Sequence, residues 1–117
     1  MAYILLILEP PGQRATRTLA EGEALYARMV EFSEQLKARG QLTAAQSLTS
    51  DASGVRVRGR GGNLGVVDGP FAESKELVGG FFLLTVATRE QAVAIARECP
   101  AAEWATVEVR ELGPCFL

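Results

Sequence analysis

Two rhythms of apolar and polar residues divide this chain. Tyr3 to Leu8 is apolar at nearly every position, the pattern of a central strand covered on both faces. Glu9-Pro10-Pro11-Gly12 stops it, because two prolines remove two backbone donors, and Gln13 to Arg17 reads as a solvated loop. Thr18-Leu19-Ala20-Glu21 has the spacing of a capping box, in which hydroxyl and carboxylate each satisfy a free amide at a helix start. Leu25, Met29, Phe32 and Leu36 then recur at helical spacing through to Arg39, and Gly40 supplies a left-handed stop.

The rhythm then shortens. Leu42 to Leu48 predicts a strand with Leu42, Ala44, Gln46 and Leu48 on one face, followed by turn composition from Thr49 to Gly54. Val55-Arg56-Val57-Arg58 alternates strictly, Gly59 to Asn63 is a glycine-rich turn, and Leu64 to Val67 returns as the second arm of a hairpin. After the Asp68-Gly69-Pro70-Phe71 turn and the charged run Glu73-Ser74-Lys75-Glu76, read as a solvated helical turn, Gly80 to Ala87 is again apolar. Thr88-Arg89-Glu90-Gln91 is a second capping box, and Ala92, Ile95, Ala96 and Cys99 make its helix stripe, closed by Pro100. Thr106 to Leu112 alternates as a last strand, and the apolar Cys115-Phe116-Leu117 tail is expected to dock on something.

The order is strand, helix, strand, hairpin, strand, helix, strand. It predicts an α+β domain, residues 1–117, with an antiparallel-rich sheet covered on one face by two helices. The other face would leave Val, Leu and Ile wet, so a homodimer formed sheet to sheet is expected.

Composition narrows the functions. The chain has 117 residues, 48% hydrophobic and 22% charged, an ordinary globular balance for one domain. A net charge of -2 argues against direct nucleic-acid or anionic-membrane binding. No histidine is present, which removes the usual base near neutral pH and the commonest metal ligand. Cys99 and Cys115 match no zinc or redox spacing, and no carboxylate cluster has metal-ligand spacing, so neither metal nor cofactor is expected. The apolar run Ile4 to Leu8 is too short to span a membrane and lacks a basic leader, so the expected location is cytoplasmic.

Candidate chemistry gathers at the Asp-Gly-Pro-Phe turn. Asp68 can accept from the amide of Phe71 or Ala72 as a turn former, or stand at a cleft rim as acid, base or ligand contact. With it we single out Phe71, Glu73, Lys75 and, from the first helix, Arg28 as ligand-binding candidates, Asp68 being the best catalytic one. Glu34 and Lys37 have the spacing of a surface ion pair. Arg56, Arg58 and Arg60 share a strand face suited either to an anion or to discouraging strand pairing. The glycines from Gly59 to Gly65 fail as a dinucleotide loop, since no helix follows them.

The run Val67-Asp68-Gly69-Pro70-Phe71-Ala72-Glu73-Ser74-Lys75-Glu76, then Gly79-Gly80-Phe81, resembles the motif of the DGPF branch of the YCII-related family. The opening Tyr3 to Ile7 and the segments Cys99 to Ala102 and Val107 to Arg110 fit as well. The resemblance implies a ferredoxin-like α+β sandwich (βαβ, hairpin, βαβ) forming a dimeric α+β barrel. It also implies one of two roles: a small-molecule cleft, with enzymatic action where a His joins an Asp, or a regulatory module beside a sigma-70-type factor. This chain lacks the His, so Asp68 would have to act with Glu, Lys, Tyr or a bound ligand.

Overall fold

The computed structural model describes residues 2–117. Six strands, β1 (Tyr3–Glu9), β2 (Leu42–Ser47), β3 (Val55–Arg60), β4 (Asn63–Asp68), β5 (Leu77–Leu84) and β6 (Thr106–Glu111), join two helices, α1 (Leu19–Ala38) and α2 (Arg89–Glu98). The main sheet has the order β2-β5-β1-β6 and is antiparallel throughout. Each helix lies in a crossover that skips one strand, which is the ferredoxin-like α+β arrangement. β3 and β4 form a separate two-stranded ribbon.

Both helices start where the capping boxes place them. Thr18 accepts from the Glu21 amide while Glu21 accepts from that of Thr18, and Thr88 and Gln91 repeat the exchange. The Thr18 contacts also hold the Glu21 carboxyl below its usual range. Gly40 takes φ +71° after α1, a conformation that costs glycine little.

The core lies between the sheet and the helices. Tyr3, Leu5 and Ile7 of β1 and Phe82 and Leu84 of β5 meet Phe32 and Leu36 of α1 and Ala92, Ile95 and Ala96 of α2. Phe32 and Phe82 meet edge to face at 5.3 Å between ring centres. Burying a side chain of this size stabilises by about 1.5–3 kcal/mol. Of the stripe on α1, Phe32 and Leu36 are buried but Leu25 and Met29 are only partly covered. The helix is therefore packed at its C-terminal half and stands off the sheet at its start.

Several expectations are corrected. β2 carries a bulge between Leu42 and Ala44, so Leu42 and Ala45 pack on the core while Ala44 and Gln46 are exposed. β5 begins at Leu77, three residues early, because its start pairs with Leu8 and Glu9 beyond a bulge in register. The ribbon strands run on to Arg60 and back from Asn63, leaving a two-residue turn with Gly61 and Gly62 both at positive φ. Glu73 to Glu76 does not form a helical turn; the chain turns from Phe71 to Ser74, closed by the Ser74 amide donating to the Phe71 carbonyl. Phe116 and Leu117 are exposed, so the tail does not dock on this chain. Glu34 and Lys37 form no ion pair among the described residues; Arg39 reaches Glu98 instead, at 3.3 Å. Among the described residues, no helix is long and apolar enough to cross a membrane.

Candidate functional site

Where α1 stands off the sheet it roofs a cleft. A cavity of about 940 Å³ lies between Gly22, Leu25, Tyr26 and Met29 of the helix and Ile7, Ser47 and Trp104 below. It continues past Tyr26 and Met29 into a smaller one of about 210 Å³ that reaches Ser33 and Phe82. The lining is mainly apolar, as small-molecule sites are. Gly22 is telling. A glycine inside a helix costs about 0.5–1 kcal/mol relative to alanine, and a Cβ here would meet nothing within 4 Å. The residue keeps the roof of the cleft bare.

One end of the cleft is charged. Glu9 closes β1 and its Oε1 lies 2.7 Å from Arg14 Nε, with only 14% of the Glu9 side chain exposed. Arg14 sits in a short 3-10 turn, Arg14–Thr16, inside the loop expected to be merely solvated. It also donates to the Leu48 carbonyl at 2.7 Å and the Gly79 carbonyl at 3.3 Å, tying the loop to the sheet. Gly79 makes the pair possible: a Cβ there would fall 2.6 Å from Glu9 Oε2 and 3.1 Å from Arg14 Nη2. Engaged with Arg14 through Oε1, the Glu9 carboxylate keeps acceptor capacity on Oε2. Arg17 and Glu23 also line this end.

Trp104 forms part of the floor, and its carbonyl accepts from Gln13 Nε2 at 2.6 Å. Arg28 stacks over the Trp104 ring at 5.5 Å and pairs with Glu103 through its two terminal guanidinium nitrogens. That hydrogen bond raises the Arg28 pKa and lowers that of Glu103. Arg28 thus braces the floor from outside; it lines neither the cleft nor the turn with which it was grouped.

The Asp-Gly-Pro-Phe corner sits elsewhere, at the base of the ribbon. Asp68 ends β4 opposite Val55 and is exposed, and it does not cap the turn as expected. The Phe71 amide donates instead to Asp51 Oδ2 at 2.7 Å, and the Gly69 amide to the Gly54 carbonyl at 2.8 Å. A Cβ on Gly69 would lie 1.8 Å from the Asp51 carbonyl oxygen, so no side chain fits. The Gly69–Pro70 bond is cis. The Phe71 ring packs on Gly54 and carries the Arg56 guanidinium 4.0 Å above it. Phe71 and Glu73 line a concavity of about 810 Å³ with Arg56, Arg58 and Arg60. Lys75 lies in a different shallow depression, beside Pro10 and Trp104. The five residues singled out from the sequence therefore do not form one site. Glu9, Arg14, Gly22, Gly79 and Asp51 were missed. Their signals were slight: a carboxylate directly after an apolar strand, and glycines inside a helix and a strand.

No group of three His, Cys, Asp or Glu side chains that could hold a metal ion occurs among the described residues.

A four-stranded antiparallel sheet, two helices on one side and a cleft under the first define a small α+β domain of ferredoxin-like topology. The chain belongs to the YCII-related domain family, whose match covers residues 1–115. It is 28% identical over 115 residues to an uncharacterized protein of Rhizobium meliloti (strain 1021), covering 97% of this chain and 93% of that one. Among solved structures it is similar to 5-chloro-2-hydroxyhydroquinone dehydrochlorinase from Burkholderia phenoliruptrix AC1100 in complex with 2,5-dihydroxybenzoquinone. The TM-score is 0.57 at 14% identity, over 97% of this chain and 94% of that one, a likeness of fold.

Proposed function

We propose that the cleft under α1 binds a small organic molecule with an apolar, ring-sized body and a hydroxyl or amino donor directed at Glu9. The observation that carries this is the Glu9 carboxylate, largely shielded at the end of an apolar cleft and paired with a part-exposed Arg14, with Gly79 leaving room for it. A charged group in such a place is costly unless it is paired, and Arg14 holds it through Oε1. Tyr26, Met29 and Trp104 supply the flat and flexible apolar contacts. The hydroxylated ring bound by the dehydrochlorinase of similar fold is of the class meant. Proton transfer to Glu9 is the chemistry this arrangement favours, since the chain has no His to share the task.

The reading includes a homodimer. Ile4, Leu6 and Leu8 of β1 and Phe81 and Leu83 of β5 point away from the helices and are only partly covered in one chain.

A panel of hydroxylated aromatic and alicyclic compounds, screened by thermal shift and Trp104 fluorescence, tests the cleft. At least one member should raise Tm in the unaltered protein, and Glu9→Gln should weaken it about tenfold or more, the worth of a hydrogen bond to a charged group. A ligand held equally well by Glu9→Gln and by Tyr26→Ala would place the site elsewhere.

A further inference from the structure

The ribbon β3–β4 has two unlike faces. Direct pairing puts Val55, Val57, Leu64 and Val66 on one side, with Asp68 at its end, and Arg56, Arg58, Arg60 and a lone apolar residue, Val67, on the other. The four apolar side chains are between 55% and 77% exposed, more than any strand residue of the main sheet among the large apolar ones. A ribbon of two strands is marginal by itself in water. This one nevertheless leaves the body along a set path, because the Asp51–Phe71 and Gly69–Gly54 hydrogen bonds close its base.

The ribbon does not cover its own sheet. The chain measures 46 × 42 × 19 Å, and the smallest extent has room for one sheet and one layer of helices. A third layer would add about 10 Å. The radius of gyration is 15.9 Å where a chain of this length gives about 13 Å. The accessible surface is 7964 Å², about 1,800 Å² above what a monomer of this mass exposes. Two copies each hiding that excess would bury about 3,600 Å² together, within the range of obligate homodimers.

We infer that the ribbon is a dimerisation arm: its apolar face, Val55, Val57, Leu64 and Val66, packs on the helix-free sheet face of a second copy of this chain, while its arginine face stays in solvent. The inference rests on the homodimer proposed above and names what covers that sheet face. A two-fold arrangement satisfies both uncovered surfaces at once, arm on sheet and sheet under arm, with a single kind of contact. It also gives the Asp-Gly-Pro-Phe corner a task. A clamped base presents the arm already ordered, so less entropy is lost when the partner docks. The three arginines then blunt the ribbon against pairing with further chains.

Sedimentation velocity across a dilution series tests the arm. The unaltered protein should be a dimer at micromolar concentration. Val57→Glu with Leu64→Glu should weaken it at least about a hundredfold, as for central interface residues, and Arg58→Glu with Arg60→Glu by no more than about threefold. An unaltered monomer overturns both the arm and the homodimer. A dimer that survives Val57→Glu with Leu64→Glu but is lost in Leu83→Glu overturns the arm alone. Equal loss from the arginine pair places the contact on the wrong face and overturns it too. If the apolar variant does not fold, hydrogen exchange of the unaltered chain decides. Amides of 55–60 and 63–68 should exchange faster on dilution into the monomer, and exchange that ignores dilution overturns the arm.

Discussion

The carboxylate of Asp51 accepts the backbone N–H of Phe71 at 2.7 Å, across twenty residues and the whole of the β3–β4 ribbon. This bond, not one from Asp68, closes the Asp-Gly-Pro-Phe corner. It converts a sequence motif that looks like a binding site into the clamp of a projecting ribbon.

Asp51→Ala leaves a part-buried amide without its charged acceptor, so chemical denaturation should show a loss of about 1–2 kcal/mol. Asp68→Ala removes an exposed side chain and should change stability by less than about 0.5 kcal/mol. The reverse ranking would return the capping role to Asp68.

At Gly69 the obstacle is backbone. Gly69→Ala places a methyl group 1.8 Å from the Asp51 carbonyl oxygen, and the loop must move to admit it. The expected cost is on the order of 2–4 kcal/mol, with the Asp51–Phe71 bond lost. A melting curve like that of the unaltered protein would show that the corner is looser than its geometry.

Gly22→Ala separates stability from binding. The added methyl meets nothing within 4 Å and removes a helix-interior glycine, so stability should rise by about 0.5–1 kcal/mol. The same methyl enters the cleft, so any ligand found there should bind less well. Calorimetry on one sample reads both. Unchanged affinity would put the ligand away from the helix roof.

Arg14→Gln withdraws a guanidinium from Glu9, the Leu48 carbonyl and the Gly79 carbonyl together. Because the pair is part-exposed, the expected loss is about 1–2 kcal/mol rather than that of a sealed ion pair. A denaturation curve unchanged by the substitution would show that Arg14 does not tie the loop to the sheet.

The two cysteines should differ in reactivity. Burial pushes the Cys99 thiol up from its usual value of 9.0, whereas Cys115 is exposed in the tail. At pH 8 a thiol reagent should label one site quickly and the second only on unfolding. The raised value also sets a sign. The stability held by the neutral thiol is complete below pH 9 and declines as pH climbs through the higher folded value. Two equally fast sites would mean that Cys99 is reached from solvent.

Much of the fold is legible in the chain because it depends on near neighbours. Both capping boxes, the stripe of Leu25, Met29, Phe32 and Leu36, and the glycine-rich hairpin turn act within a few residues, and each appears in place. The strand order β2-β5-β1-β6 is set by which strands meet, and the succession of elements leaves it open. The face of β2 was misjudged, because a bulge depends on what β5 offers across the sheet, and β2 carries no mark of it.

The site was less legible, for a related reason. Glu9 and Gly79 lie seventy residues apart, and Asp51 and Phe71 twenty, and their partnerships arise only when the chain folds. Local spacing therefore directed attention to Asp68, Glu73 and Lys75, which are near in sequence and face different ways.

By itself, the sequence determined the succession of strands and helices, the two helix caps and the lack of any histidine, since propensity, capping and composition are properties of short segments. Only the tertiary structure decided which carboxylate enters the cleft, which closes the corner, and that the ribbon stands clear of its own sheet. Those outcomes depend on distances between segments that the linear order leaves open, and on which atoms exclude one another when the sheet and helices close.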